Sequence, residues 1–481
     1  MLFHTIEYAL LLSAVWVIAW WVVRWSLPLR NLILLVASYV FYCSWDWRFA
    51  GLLVFSTLLD YAVGWYLYRC ERISRKRLLL CLSLVGNLGV LCLFKYYNFF
   101  IDNLNNLLTS VEMPPLNAHL ELVLPLGISF YTFQTLSYTL DIYRGRLKPT
   151  TNLFDFALFV VFFPQLIAGP IVRARQFLPQ LAKVVGFDEE RMISGIYRII
   201  KGLIKKVVIA DMIGRLLVDP VFADPGGATG LEASLAMLGF HMQIGFDFGA
   251  YADIAIGSAR LLGFEIPENF RAQTRATDLE DFWRRWHITL TTWIRDYLYI
   301  PLAMRKRDGH PGWPYFAIIF TMVLVGLWHG ASWTFILFGL YHGIGLAITR
   351  LLRRRFGKNT VEEPTGFKFH LRIALKRALT IMLVAVSIVL FRAANLEDAG
   401  TMYFAMIDPS NWTTHNNASG VGSLFLRLAF VLHLTSEPFR QSVEDRFLKL
   451  PVILQAAVVV FSLAMVAMYL DIGRPFVYFQ F

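Results

Sequence analysis

Long apolar runs joined by short polar links dominate the chain, and their lengths suit helices that cross or enter a bilayer rather than strands. The runs are Tyr8–Val23, Asn31–Trp45, Gly51–Tyr68, Leu78–Phe100, Leu122–Ile142, Leu153–Ala168 and Ile193–Leu217. They continue with Ala233–Leu262, Phe316–Trp328, Thr334–Ile348, Ile373–Phe391, Gly420–Thr435 and Val452–Leu470. A span takes about 20 apolar residues, so the shorter runs are expected to tilt, re-enter or pack inside a bundle. Irregular backbone at that depth must line protein or a water-filled cavity. The pattern predicts an all-α, polytopic integral membrane protein with roughly ten to thirteen spans, folded as one membrane-embedded domain over residues 1–481.

Composition strengthens that reading. Of the 481 residues 57% are hydrophobic and 16% charged, against about 25% charged in soluble domains; a soluble fold of this length would lack the polar residues to cover its surface. The first run lacks a basic n-region before it and an A-x-A-like site after it, so it is expected to be a span and not a cleaved leader. Cys43, Cys70, Cys81 and Cys92 show no C-x-x-C spacing, so neither a disulfide framework nor a metal site is expected. No period of about 20–50 residues repeats.

The net charge of +11 does not point to nucleic acid, because of where the charge lies. Basic residues gather at Arg69–Arg77, Arg144–Lys148, Arg305–Arg307 and Arg350–Lys358, and Lys and Arg are absent from Tyr96–Tyr143, Leu216–Ala259 and Ala393–Leu426. That alternation is the positive-inside pattern, with the basic loops cytoplasmic and against anionic headgroups. It places the amino terminus and the loops near 102–121, 218–232 and 393–419 outside, Glu437–Lys449 inside, and the tail Asp471–Phe481 on the outer face.

Three clusters put polar groups where a plain bundle would avoid them, and charges at membrane depth usually pair or serve a function. In Phe246–Gly257, a helix would set Asp247 and Tyr251 on one face and turn Asp253 away, with small residues allowing close packing. Packed carboxylates bonded to neighbours and direct contact with substrate are both open there. Phe282–Tyr299 mixes aromatics with Arg284, Arg285, Arg295, Trp286 and His287. It reads either as an interfacial amphipathic helix or as a basic mouth for a phosphate-bearing substrate. In Gly326–Ser332, Trp328 and His329 lie between glycines, and an intramembrane His is either bonded within the bundle or a proton-transfer group. His342 reads as structural.

Taken in order, Pro125–Phe133, Phe163–Ile171, Phe246–Gly257, Arg285–Leu290 and Leu327–Gly330 resemble the membrane-bound O-acyltransferase family, nearest its bacterial branch for alginate O-acetylation and teichoic-acid D-alanylation. One departure is Gly249-Ala250, where related sequences more often carry Ser-Gly; it touches a small hydroxyl contact, not the family. The resemblance implies a ring of tilted and re-entrant helices around a central funnel, in the cytoplasmic (inner) membrane of a bacterium. It implies that His329 is the essential histidine, acting as general base, and that His287 positions substrate or stabilises the oxyanion. An imidazole of pKa about 6.5 suits that base. No cofactor is held permanently; acetyl-CoA or another acyl thioester is the donor, arriving from the cytoplasm. Arg284, Arg285, Trp286, Arg295, Arg305, Lys306, Asp247, Tyr251, Asp253 and Trp328 would bind it or line the funnel.

Phe476-x-Tyr478-x-x-Phe481 reads on composition as an aromatic interface anchor. It also resembles a carboxy-terminal motif of this acylation machinery in which the tyrosine carries the acyl group. Tyr478 would then pass the acyl group to an extracytoplasmic SGNH/esterase-like acyltransferase partner, with a polysaccharide as final acceptor. The rival readings are a proton-coupled transporter using Asp247, Asp253 and His329, against which no duplicated halves are visible, and a non-catalytic scaffold for an extracytoplasmic acetyltransferase.

Overall fold

The computed structural model describes residues 1–305, 310–356, 366–412, 420–470 and 476–477, and every regular element among them is helical. The chain divides into two compact units, Met1–Ile199 with Ile254–Pro267, and Ile200–Asp253 with Glu268–Phe481.

In the first unit, local chemistry sets the helix starts. The Thr5 and Ser26 hydroxyls accept the N–H groups of Tyr8 and Leu29, opening helices Ile6–Val22 and Leu27–Asp46, and Pro28 sits in the first turn, where its missing N–H costs nothing. A single tight turn at Trp47–Phe49, capped by Asp46, leads into Ala50–Arg69, so two of the expected runs form one helical stretch, Leu27–Arg69. Ile73–Ser110 has 38 residues, about 57 Å at the helical rise, which exceeds a hydrocarbon core of about 30 Å. Its exposed Leu78, Leu82 and Val85 are the kind of face a bilayer covers.

The run expected at Leu122–Ile142 becomes helical only from Ile128, after Gly127 turns the chain in the left-handed region with φ 73°. That helix, Ile128–Tyr143, buries 14 of its 16 residues and is the centre of this unit. Tyr138 lies against Gly64 of helix Ala50–Arg69, where an added Cβ would come within 2.6 Å of the ring. The run expected at Leu153–Ala168 is split. Asn152 caps helix Leu153–Val161, the chain leaves helix at Phe162, and Pro164, which has no N–H to donate, falls in the short turn Phe163–Leu166.

The second unit holds helix Gly230–Leu261 as far as Asp253, its last turns being counted with the first; the helix is opened by a capping box in which Thr229 and Glu232 exchange hydrogen bonds at 3.0 and 3.3 Å. Every residue from 239 to 253 is buried. The run Ile193–Leu217 is not one regular helix: after Glu189–Leu203, two π-helical stretches follow at Ile204–Ala210 and Gly214–Val218. Such wide turns rotate side chains out of the ordinary register and often mark functional sites. Trp313–His329 and Trp333–Phe356 form a hairpin with backbones in contact, since a Cβ on Gly326 would lie 2.1 Å from the Phe335 carbonyl oxygen, and one on Gly339 2.3 Å from that of Met322.

Among the described residues, five helical stretches are long and apolar enough to cross a membrane: Leu27–Arg69, Ile73–Ser110, Trp333–Phe356, Phe367–Arg392 and Val452–Tyr469. Ile6–Val22, Trp313–His329 and Gly420–Leu434 are apolar but shorter. Gly230–Leu261 is long enough, but it carries Glu232, Asp247, Asp253 and Arg260 and is set apart by its charge and burial.

Candidate functional site

Everything described here lies in the second unit. His287 stands at the break between helices Leu279–Arg285 and Ile288–Ile294, and its backbone is left-handed with φ 43°, unusual for a residue other than glycine. The turn is held by Ile288 N–H donating to the Asn269 backbone oxygen at 2.9 Å. The imidazole is fully buried, with Nδ1 3.1 Å from the Asn269 side-chain oxygen. Its ring meets Phe248 edge-on at 4.8 Å between centroids and Trp328 at 6.1 Å.

Trp328 joins this histidine to the next. His329 is the last residue of helix Trp313–His329, buried, with its ring 5.0 Å from Trp328 and 5.1 Å from Phe391. It lines a largely enclosed cavity of about 20 Å³ whose wall includes Phe338, Val384, Ile388, Phe391 and His342. Trp286 and His241 also line this cavity.

His342, in the same wall, has both nitrogens engaged. Trp283 Nε1–H, which can only donate, meets Nδ1 at 3.3 Å, so Nε2 carries the hydrogen and donates to Ser387 Oγ at 2.9 Å. The Ser387 hydroxyl in turn donates to the Val384 carbonyl at 2.7 Å. A ring so placed is a neutral strut and has no lone pair to offer as a base.

The acidic residues of the long helix have partners. Asp247 lies 2.8 Å from the Lys206 ammonium, which also holds Asp211 at 2.8 Å; Lys206 and Asp247 are wholly buried. Asp247 further accepts the Val477 backbone N–H at 2.7 Å, and Tyr251 stacks on Phe476 at 4.2 Å. The carboxy-terminal segment is therefore seated, at Phe476 and Val477, on the same helix that packs against His287. Asp253, one turn and a half further on, meets Lys201 at 3.1 Å and Lys205 at 2.7 Å.

Of the arginines of the aromatic-basic run, Arg284 and Arg295 are exposed and Arg285 is half-buried. Arg284 is paired with Glu280, Arg285 with Asp281 at 2.8 Å, and Arg295 with Asp296 at 2.7 Å. Tyr478 and Lys306 lie outside the described residues. The structure thus links His287 to His329 through the Trp328 ring, sets Trp286 and His329 in one cavity wall, seats Asp247 and Tyr251 against the carboxy-terminal segment, and holds Arg284, Arg285 and Arg295 in ion pairs apart from that wall.

Sequence reasoning passed over three residues. Lys206 and Asp211 sit in an apolar run, which is itself a signal that an ionisable group has a buried partner. Asn269 carries no such signal, because its importance arises only when the turn at His287 forms.

A sequence model of the membrane-bound O-acyltransferase family matches residues 146–385, a span that includes both His287 and His329. The probable alginate O-acetylase of Azotobacter vinelandii is 42% identical over 80% of this chain and 74% of that protein. This chain belongs to the membrane-bound O-acyltransferase family. A peptidoglycan O-acetyltransferase of Helicobacter pylori is 36% identical over 76% of this chain and 71% of its own length. A teichoic acid D-alanyltransferase of Streptococcus thermophilus is 30% identical over 57% of this chain and 68% of its own length. As a member of this family the protein is a multi-pass membrane protein, in accord with its helical architecture.

Proposed function

We propose that this O-acyltransferase takes an acetyl group from a cytoplasmic thioester such as acetyl-CoA and transfers it, within the membrane, to a hydroxyl on the way to an extracytoplasmic polysaccharide. The observation that carries the reading is the pair His287 and His329 around Trp328, of which His329 lines a largely enclosed, apolar-walled cavity. An acetyl cargo is supported by the names of the O-acetylating relatives. The polysaccharide acceptor is supported by the names of the alginate and peptidoglycan O-acetylating relatives.

The chemistry needs one proton moved. The acceptor oxygen attacks the thioester carbonyl, the O–H proton passes to an imidazole of the pair, the C–O bond forms and the C–S bond breaks. The thiolate leaves and takes up a proton as free thiol. In this reading a ring of tilted helices encloses the site, so that a cytoplasmic donor and an outer acceptor reach it from opposite faces. Tyr478 is the proposed first acceptor, handing the acetyl group to a separate esterase-like acyltransferase outside; the seating of Phe476 and Val477 beside Tyr251 and Asp247 supports its access to the site.

The test is thiol release from acetyl-CoA by the purified full-length protein. His329→Ala is expected to lower the rate at least about 10²-fold; full thiol release by a correctly folded His329→Ala protein would overturn the reading. Mass spectrometry of the carboxy-terminal peptide should show an acetyl adduct on Tyr478, and its absence together with wild-type polysaccharide acetylation by Tyr478→Phe would remove the tyrosine from the route.

A further inference from the structure

We infer that Arg377, together with Arg275 and Arg285, forms a phosphate-binding site for the acyl-thioester donor, and holds the phosphate that precedes its pantetheine arm. The inference rests on the acyl-transfer reading and names the group by which the donor is held.

Local charge carries the argument. Arg377 lies on helix Phe367–Arg392, one of the stretches long and apolar enough to cross a membrane. An ionisable group on such a helix ordinarily pairs or serves a function. Among the described residues Arg377 forms no ion pair, and its Nε is buried without a hydrogen-bond acceptor. Like charges converge on it instead. Arg275, in the tight turn Gln273–Arg275, and Arg285, at the end of helix Leu279–Arg285, act on its guanidinium, opposed by Asp281. The turn and the two helices pack against one another.

The nearby carboxylates are already engaged. One oxygen of Asp281 accepts from Arg285 Nε at 2.8 Å, and the other accepts the Thr277 backbone N–H at 3.2 Å. Asp278 and Glu280 are both paired with Arg353. Three guanidiniums around one occupied carboxylate leave a surplus of positive charge in a half-buried place. A phosphate offsets that surplus, and the planar fork of an arginine matches its oxygens.

Helix geometry joins this spot to the cavity. Thr380, Val384, Ile388 and Phe391 follow Arg377 at steps of three and four residues, so they share one face. Val384, Ile388 and Phe391 line the same cavity as His329, whose ring is 5.1 Å from that of Phe391. Arg377 and Phe391 are separated by about 21 Å at the helical rise. An acyl thioester of coenzyme A, or of phosphopantetheine on a carrier protein, has a matching build: a phosphate at one end of a long arm and the sulfur at the other. The basic segment Arg350–Lys358 precedes this helix, and the positive-inside pattern puts that end at the cytoplasm, where the donor is.

Other basic groups fit the task less well. Lys368, Arg372 and Lys376 of the same helix are exposed, as headgroup anchors are, whereas Arg377 is half-buried. Arg284 and Arg295, the candidates from sequence, are exposed and paired with Glu280 and Asp296. Arg440 acts electrostatically on Arg275, but its guanidinium is held by the carbonyls of His433 and Thr435 at 3.0 and 3.1 Å.

The experiment compares thiol release from acetyl-CoA with that from S-acetylpantetheine, which has the arm and the thioester but no phosphate. It uses the purified full-length protein in detergent, with folding checked by size-exclusion, and reads the ratio of kcat/KM for the two substrates. The wild type should favour acetyl-CoA by about 10-fold or more, the worth of a charge-assisted hydrogen bond. Arg377→Gln should lower that preference by about 10-fold, mainly through KM for acetyl-CoA. Arg377→Lys should return part of it, as a point charge without the fork, and Arg275→Gln should act in the direction of Arg377→Gln. The same sensitivity to Arg377→Gln is expected with S-acetyl-4′-phosphopantetheine, which keeps only the phosphate next to the arm.

A wild-type protein without the preference would overturn the site. So would Arg377→Gln that slows both substrates alike, since Arg377 would then only support the fold. An effect of Arg377→Gln that is absent with S-acetyl-4′-phosphopantetheine would do the same, and so would one seen only in phosphatidylglycerol nanodiscs, where the ligand would be a headgroup. Binding of free coenzyme A, measured by isothermal titration calorimetry, separates the two levels. If the wild type releases no thiol from either substrate, the acyl-transfer reading fails, and coenzyme A binding that is lost in Arg377→Gln still upholds the phosphate site. If thiol release is intact and the ratio does not move, the phosphate site alone fails.

Discussion

Each unit buries a carboxylate among apolar helices, and the two solve the same problem differently. In the first, Asp60 is wholly buried and is met by neutral donors, Ser83 Oγ at 2.5 Å and Asn87 Nδ2 at 2.8 Å. The donors are themselves tied back: Asn87 also donates to the Ser83 carbonyl at 3.0 Å, and Ser83 lies 3.2 Å from the Thr139 hydroxyl. In the second, Asp247 is met by a full countercharge, Lys206, which it shares with Asp211, and it reaches further to the Val477 N–H. The Asp60 network clamps helices Ala50–Arg69, Ile73–Ser110 and Ile128–Tyr143 to one another. The Asp247 network holds a chain segment in place beside the histidine site. A buried polar cluster made of neutral short side chains reads as a brace, and one built on countercharge and extended to another segment reads as a seat.

The strongest way to break this comparison is Lys206→Met. It leaves two carboxylates buried without their cation, and removing one partner of a buried ion pair costs about 3–5 kcal/mol. The loss should appear as a lowered unfolding midpoint in detergent. Adding Asp211→Asn and Asp247→Asn to it should return most of that stability, because the uncompensated charge, not the missing bond, dominates the cost. If Lys206→Met were no more destabilising than a change at Asp60, the two clusters would be of one kind.

Asp60→Ala comes next. It leaves the Ser83 and Asn87 donors buried without their acceptor, at about 1–3 kcal/mol. As a brace, it should lower the unfolding midpoint and leave thiol release per folded molecule at the wild-type level. A fall in turnover at full folding would show that the first unit's network bears on the chemistry.

Much of this was legible beforehand, and the reasons are local. The apolar runs follow from hydropathy alone, and His287, His329 and Trp328 stood out because polar groups at that depth are rare. The split at Phe162 had a visible cause in Pro164. The partners of Arg284 and Arg285 were also on the page, since Glu280 and Asp281 stand four residues earlier on one helix face. The pairing of Lys206 with Asp247 was not, because hydropathy marks a buried charge without naming its partner. Asn269 was invisible for a stronger reason. Its contacts with His287 and Thr289 depend on the left-handed turn at His287, which no spacing or propensity encodes. The π-helical stretch that contains Lys206, Ile204–Ala210, likewise has no glycine or proline within it to announce it.

The smallest effect is expected at Ser387, and it tests whether closure of a network marks a strut even within the site. His342 shares the cavity wall with His329 but sits in a chain that closes as the Asp60 network does, from Trp283 through both imidazole nitrogens to Ser387 and the Val384 carbonyl. Ser387→Ala takes away the acceptor of the Nε2–H and should cost about 0.5–1.5 kcal/mol. The tautomer is still held by Trp283, so Nδ1 stays occupied and the ring gains no basic nitrogen facing the substrate. The unfolding midpoint should therefore fall slightly, while kcat and the acid limb of its pH profile stay where they are. A shifted acid limb in Ser387→Ala would mean that His342 exchanges protons during turnover, and a closed hydrogen-bond chain would then no longer separate a brace from working chemistry in this protein.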